Sequence, residues 1–306
     1  MHTVILTGES ASMLSPFDYH EPSTLNEAIT LLERYGDDAR LLAGGTDLLI
    51  AMERRKVHPR HVISLLMIPG LDHLHVDEGI TIGALVTHRQ LECTSELQGL
   101  AVALVEGACV IGGRQVRNVA TIGGNICNAS PAADTVAPLL ALDAHVRLVG
   151  PDGQRVVPLD QFFTGPGQTV LAATEVLTSI HIPPFGAHTA TSFIKFGRRK
   201  AMEISIVCVA SSVSLSADGH TVDDVRIALG AVAPTPIRAY KAEAFLRGSA
   251  LTTDAIREAA RIASSEARPI DDVRASAEYR RMLVASLVER AIQRSVERIH
   301  TGGEEG

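Results

Sequence analysis

Two glycine-rich stretches do most to limit the folds open to this chain: "AGGTDLL" at residues 43–49 and "TIGGN" at 121–125. Each sets a Gly-Gly pair beside a threonine, between a run of strand character and a polar or helix-forming segment. Glycine has no Cβ, so it reaches φ > 0 and lets another backbone or a ligand come close. Successive N–H groups in such a turn form a concave nest for phosphate oxygens. Strand, glycine turn and helix start in quick succession is the local arrangement of an anion site. A diphosphate has two phosphates to hold, and two such turns suit it. The plainer alternative is two tight turns that bind nothing, since glycine chiefly marks turns. Neither turn is GxGxxG after a strand, so a Rossmann site is not indicated.

The second turn continues as "TIGGNICNASPAADT" (121–135), rich in hydrogen-bonding groups and poor in apolar surface. Ser130-Pro131 is a helix-start signal, Ser as N-cap and Pro at the first helical position. Asp134 then falls in the first turn, where a carboxylate favours the helix dipole. It is equally placed to accept from a ribose hydroxyl or another ligand donor, and spacing alone does not choose.

The remaining composition excludes several function classes. A net charge of −7 with no dense Lys/Arg block, the strongest being Arg54-Arg55-Lys56 and Arg198-Arg199-Lys200, argues against a nucleic-acid partner. Cys93, Cys109, Cys127 and Cys208 form no CxxC pair, so neither a zinc knuckle nor an iron–sulfur cluster held by this chain alone is expected. The histidines make no ligand set; His58 and His61 are separated by Pro59, and His73 and His75 share a strand face beside a turn. GxSxG, HExxH and P-loop motifs are absent, as is a carboxylate pair for acid–base work. The N-terminus lacks a basic region before its short apolar run, and no apolar run reaches transmembrane length, so a cytoplasmic location is the default expectation.

Periodicity sketches a two-domain α/β protein, as 306 residues with 46% hydrophobic content allow. Thr24 and Glu27 have capping-box spacing ahead of an amphipathic helix over 24–35. Short strands are expected at 40–43 and 61–66, hairpins over 74–85 and 145–159, and a strand over 175–183. Thr87 and Gln90 mark another capping box. A helix is expected from Leu97 through Leu100, Ala101, Leu104 and Ala108, and strand character over 116–123. The texture changes near 185–190: three strands, then two strong helices. The expected division is a loose arm at 1–15, a cofactor domain over 16–187, a second domain over 188–298 and a disordered tail at 299–306. No internal repeat is visible.

"LLAGGTDLLIAMERR" together with "GGRQVRNVATIGGNICNASPAADT" closely resembles the FAD-binding subunit of the molybdenum hydroxylases, a family that includes the medium subunit of aerobic carbon monoxide dehydrogenase and the FAD subunit or domain of xanthine dehydrogenase. The likeness extends over about residues 16–295, through "FDYHEPSTLNEAITLLERYGDDARLLAGG" at the front and "RASAEYRRMLVASLVERA" at the back. It implies an α+β fold: a vanillyl-alcohol-oxidase-like (PCMH-type) FAD-binding domain in two α/β subdomains, then a small three-stranded antiparallel sheet with a helix bundle.

The resemblance also implies residue roles. Leu41, Leu42, Ala43, Gly44, Gly45, Thr46, Asp47 and Leu48 would wrap the FAD diphosphate. Ala120, Thr121, Ile122, Gly123, Gly124 and Asn125 would supply a second set of contacts. Asn128 and Asp134 match positions that touch the cofactor. Ile111 falls where the family often has an aromatic, so ring stacking there is lost or replaced. Leu177 would pack near the flavin or adenine, and Lys195 near the isoalloxazine, where a cation could stabilise the anionic reduced flavin. No residue of this chain is expected to be catalytic or to bind metal, because in this family a large subunit carries the molybdenum cofactor and a small subunit carries two [2Fe–2S] clusters. Electrons reach FAD from those clusters and leave to an acceptor, and the assembly the resemblance implies is a dimer of heterotrimers. The Cys-rich insertion that holds a [4Fe–4S] cluster in some reductive relatives is missing. Two other readings fit the fold: a stand-alone flavin oxidase or reductase, which would usually carry a larger capping domain, and a non-catalytic nucleotide-binding assembly module.

Overall fold

The computed structural model describes residues 14–199 and 201–302. Three sheets and a short ribbon carry the chain. The first sheet is parallel, with Asp18–His20 and Ala39–Leu42 on either side of His61–Ser64. Helix Leu25–Tyr35 crosses between its strands and buries Ala28, Ile29 and Leu32, the face that the 3.6-residue period picks out. Thr24 caps it by accepting from the Glu27 N–H, while the Glu27 carboxylate turns to the Ser23 N–H at 2.8 Å, one residue earlier than a strict capping box. The Thr87–Gln90 box is complete.

The second sheet is antiparallel, in the order Leu74–Val76, Ile80–Gly83, Val176–Ile182, His145–Gly150, Gly153–Pro158. The third is also antiparallel: Thr189–Phe196, Val207–Leu215, Val222–Gly230 and a two-residue edge strand, Ile237–Arg238. The sheet is therefore four-stranded rather than the expected three; Ile237–Arg238 is too short to carry a period-2 signal and is fixed by pairing with Ala228 and Leu229 and by the Arg238–Glu243 ion pair.

Side-chain alternation gives the third sheet two apolar faces. Phe193, Cys208, Ala210 and Ala228 join the large core built on the second sheet, whereas Val207, Val209, Ile227 and Leu229 face a core shared with helices Thr253–Glu266 and Ala277–Gly302. Lys195 lies directly opposite Cys208, so it shares the face turned toward the N-terminal half. A third, smaller core lies under the first sheet.

Four other expectations need correction. Residues 116–123 form no strand: Arg114–Arg117 is a helical turn and Ile122–Cys127 a short helix, with only an isolated bridge from Thr121 to Thr87. The β-branched run there is overridden because Thr121 caps the helix, accepting from the Gly124 N–H. The helix expected over 97–108 breaks at Ala101 (φ −125°, ψ 38°) into Leu97–Leu100 and Val102–Cys109. Ser130-Pro131 opens a turn, not a helix. Ser130 Oγ accepts from the Ala132 N–H at 3.3 Å, the Pro131 carbonyl is taken by the Ala231 N–H, and the helix starts only at Val136. The last helix continues to Gly302, so 299–302 are ordered. Residues 303–306, and 1–13 of the expected arm, lie outside the described residues. Among the described residues, no helix is long and apolar enough to cross a membrane.

Candidate functional site

The two glycine turns touch. A Cβ built on Gly44 would sit 1.9 Å from the Val119 carbonyl oxygen, so the first turn lies directly on the backbone that leads into the second. Gly45 has φ +73°, the left-handed region that glycine enters without penalty. Below the second turn, a Cβ on Gly123 would meet Ala84 at 2.7 Å. Segment 84–88 runs along 120–123 there: the Ile122 N–H donates to Val86 O, the Gly123 N–H to Ala84 O and the His88 N–H to Ala120 O. A Cβ on Gly124, in contrast, would meet only Thr121 Oγ1, at 3.0 Å.

These contacts divide the labour between the turns. In the first, the N–H groups of Gly45, Thr46 and Asp47 find no acceptor among the described residues, which is the run of donors a nest requires. In the second, the amides of Ile122, Gly123, Gly124 and Asn125 are all engaged by Val86, Ala84 and Thr121. The second turn therefore offers a bare glycine surface and side-chain amides rather than backbone donors. Asn125 is half-buried, its Oδ1 accepting from Thr135 Oγ1 at 2.7 Å, and Asn128 is exposed one helical turn on.

The other residues singled out from the sequence fall in two places. Ile111 is half-buried just past the helix Val102–Cys109, and Ala120 is buried beneath the Gly44 contact. Leu177 lies within the large core, on a strand packed against helix Ile122–Cys127, not on an open surface. Asp134 and Lys195 meet each other: Lys195 Nζ donates to Asp134 Oδ2 at 2.6 Å, to Glu203 O at 2.8 Å and to Val110 O at 3.3 Å. Ser205 Oγ donates to Asp134 Oδ1 at 2.5 Å. Burial pushes the Asp134 carboxyl above its ordinary value, and the Lys195 charge with the two hydrogen bonds offsets only part of that rise. Sequence reading missed Ser205 and Thr135, whose contacts are set by chain crossings that leave no local pattern.

Lys195 forms part of the wall of a cleft of about 410 Å³, together with Val110, Phe196, Arg198, Arg199 and Glu203. A Cβ on Gly113 would approach Met202 Sδ at 3.1 Å, so Met202, on the loop at the cleft rim, rests on the Gly112-Gly113 corner. His88, one residue past the Thr87–Thr121 bridge, is buried with no partner for Nδ1 among the described residues; burial and then the Arg117 charge lower its pKa to about 4.

Comparison with known proteins fits this geometry. Residues 15–185 match the family described as the FAD binding domain in molybdopterin dehydrogenase, and residues 192–295 match the CO dehydrogenase flavoprotein C-terminal domain. The carbon monoxide dehydrogenase medium chain of Hydrogenophaga pseudoflava is 38% identical over 92% of this chain and 97% of its own length. The xanthine dehydrogenase FAD-binding subunit of Escherichia coli O157:H7 is 35% identical over 91% and 95%. A solved structure of carbon monoxide dehydrogenase from Hydrogenophaga pseudoflava, in a form lacking the Mo-pyranopterin moiety, superposes with a TM-score of 0.89 at 37% identity, over 93% of this chain and 99% of that one.

Proposed function

This chain belongs to the family of FAD-binding domains in molybdopterin dehydrogenases, and from that membership we propose that it is the FAD subunit of a molybdenum hydroxylase assembly. Its partners are a molybdenum-cofactor subunit and a [2Fe–2S] subunit, in a cytoplasmic dimer of heterotrimers. FAD, when bound, supplies the redox chemistry, taking electrons from the iron–sulfur partner and yielding them to an external acceptor.

The residues present fit that cofactor. The carrying observation is the run of free N–H groups at Gly45, Thr46 and Asp47, beside a glycine whose absent Cβ is what lets the two turns close together. Those amides, with Leu41 to Leu48 around them, hold the diphosphate. Gly124 gives it a surface without a side chain, and Asn125 and Asn128 add polar contacts. Lys195, kept close to Asp134, presents its charge at the cleft that the isoalloxazine would occupy. Ile111 borders the same corner. Leu177 acts from the core, supporting the helix that carries Gly124. The cofactor domain spans 16–187 as two subdomains, one on each of the first two sheets, and 188–298 forms the second domain.

The test is a visible absorption spectrum of the purified chain with identification of the released flavin. A yellow protein releasing FAD is expected, together with co-purification of iron–sulfur and molybdenum subunits from the native host. A colourless chain that FAD does not reconstitute would overturn the proposal, and FAD retention with no such partners would favour a stand-alone flavoprotein.

A further inference from the structure

Asp134 is 7% exposed, yet among the described residues its carboxylate has only two partners, the Lys195 ammonium on Oδ2 and the Ser205 hydroxyl on Oδ1. No other donor among the described residues reaches it. The ammonium is fixed by three acceptors from three separate segments: Asp134, Val110 O and Glu203 O. Cys208 is the other titratable group facing Asp134, and burial holds its thiol protonated. The Glu203 carboxylate, on the rim loop, is turned to Arg199 at 3.2 Å. The charge balance beside the cleft therefore depends on whether Asp134 stays ionised. Removing an apolar neighbour would leave that balance alone, whereas removing the second donor would not.

We infer that Ser205 is a positioning residue: its hydroxyl keeps Asp134 a carboxylate, and through it sets how much of the Lys195 charge reaches the cleft. This rests on the reading that flavin occupies that cleft. With Ser205 in place the Asp134–Lys195 pair is close to neutral as a unit. Without it, Asp134 takes up a proton more readily as pH falls, and Lys195 is left as an unbalanced cation. An unbalanced cation favours the reduced, anionic form of a nearby flavin and so raises its midpoint potential.

The experiment compares the midpoint potential of the bound flavin in the full chain across pH 6 to 9, for wild type, Ser205→Ala, Ser205→Thr and Asp134→Asn. Ser205→Ala is expected to match wild type at pH 9 and to become progressively more positive toward pH 6. Ser205→Thr, which keeps the hydroxyl, should follow wild type. Asp134→Asn should be more positive at every pH, and adding Ser205→Ala to it should change nothing further. A Ser205→Ala curve parallel to wild type throughout would overturn the inference while leaving FAD binding intact. So would flavin loss in Ser205→Ala alone, with Asp134→Asn still loaded, because that pattern is structural. A colourless wild-type chain would remove the proposed function and this inference with it.

Discussion

Gly44 and Gly124 sit in matching sequence surroundings but do opposite jobs. A methyl group at position 44 would occupy the place of the Val119 carbonyl, and both neighbours there are backbone, which cannot swing aside. Gly44→Ala is therefore expected to cost about 3 kcal/mol or more through overpacking, seen as a lower urea midpoint before any cofactor is added. At position 124 the only obstacle is the Thr121 hydroxyl, and the backbone is already helical. Gly124→Val should stay folded, with a stability change within about 1 kcal/mol, yet lose FAD because the branched side chain fills the bare surface. Full flavin content in purified Gly124→Val would contradict this. His88 carries a different liability. Its folded pKa, about 4, lies below the ordinary 6.5, so the unfolded chain binds the proton first. Its stabilising contribution is complete above pH 6.5 and is lost as pH falls toward 4, by about 3 kcal/mol in all. Unfolding free energies of His88→Leu and wild type, measured across that window, should diverge by this slope; parallel curves would show that His88 does not stay neutral.

Between elements, the helix Ile122–Cys127 is held more by its cap than by its length. Six residues are too few for a helix to persist unaided. Thr121→Val removes the acceptor for the Gly124 N–H and keeps the side-chain shape. It is expected to cost about 1 kcal/mol and to weaken FAD retention severalfold, measured by dialysis against flavin-free buffer; unchanged retention would mean that the cap does not shape the cradle. The same helix shows what a sequence hides. Local signals were readable where the physics is local: Thr24 and Thr87 caps, the two strong C-terminal helices, the turn at Gly45. They failed where a distant strand decides. Val119, Ala120 and Thr121 read as strand, but the Val119 and Ala120 N–H groups turn back to Val116 O, segment 84–88 binds only Ala120 O, Ile122 N–H and Gly123 N–H beside the single Thr87–Thr121 bridge, and Thr121 turns the chain into a helix. Ser130-Pro131 has every mark of a helix start, but its carbonyl answers to Ala231, 100 residues on. Asp134 was singled out as a cofactor contact or a helix-dipole residue; its partners Lys195 and Ser205 lie 61 and 71 positions away, beyond any local pattern.

Across the whole molecule, the third sheet belongs to both halves, since its alternate side chains enter two different cores. A cluster of charges reinforces the join. Glu106, on helix Val102–Cys109, accepts from the Phe193 N–H at 2.8 Å and pairs with Arg294 and Arg298 of the last helix, each at 2.6 Å. These groups are partly exposed, so solvent screens much of the Coulomb attraction, but the Phe193 N–H has no other acceptor among the described residues. With a continuous apolar contact across the sheet, the two halves should unfold together rather than in sequence. Calorimetry of the intact chain is expected to give one transition. Glu106→Ala should lower its stability by about 2 kcal/mol, the range for hydrogen bonds to a charged group, and move the midpoint down by about 3–5 °C for a chain of this size. Glu106→Gln, which can still accept from Phe193, should recover part of the loss. Two well-separated transitions in the wild type would show that the shared sheet does not couple the halves. The Lys195–Asp134 pair would then join domains that open independently, and the flavin cleft could not owe its charge balance to a rigid join.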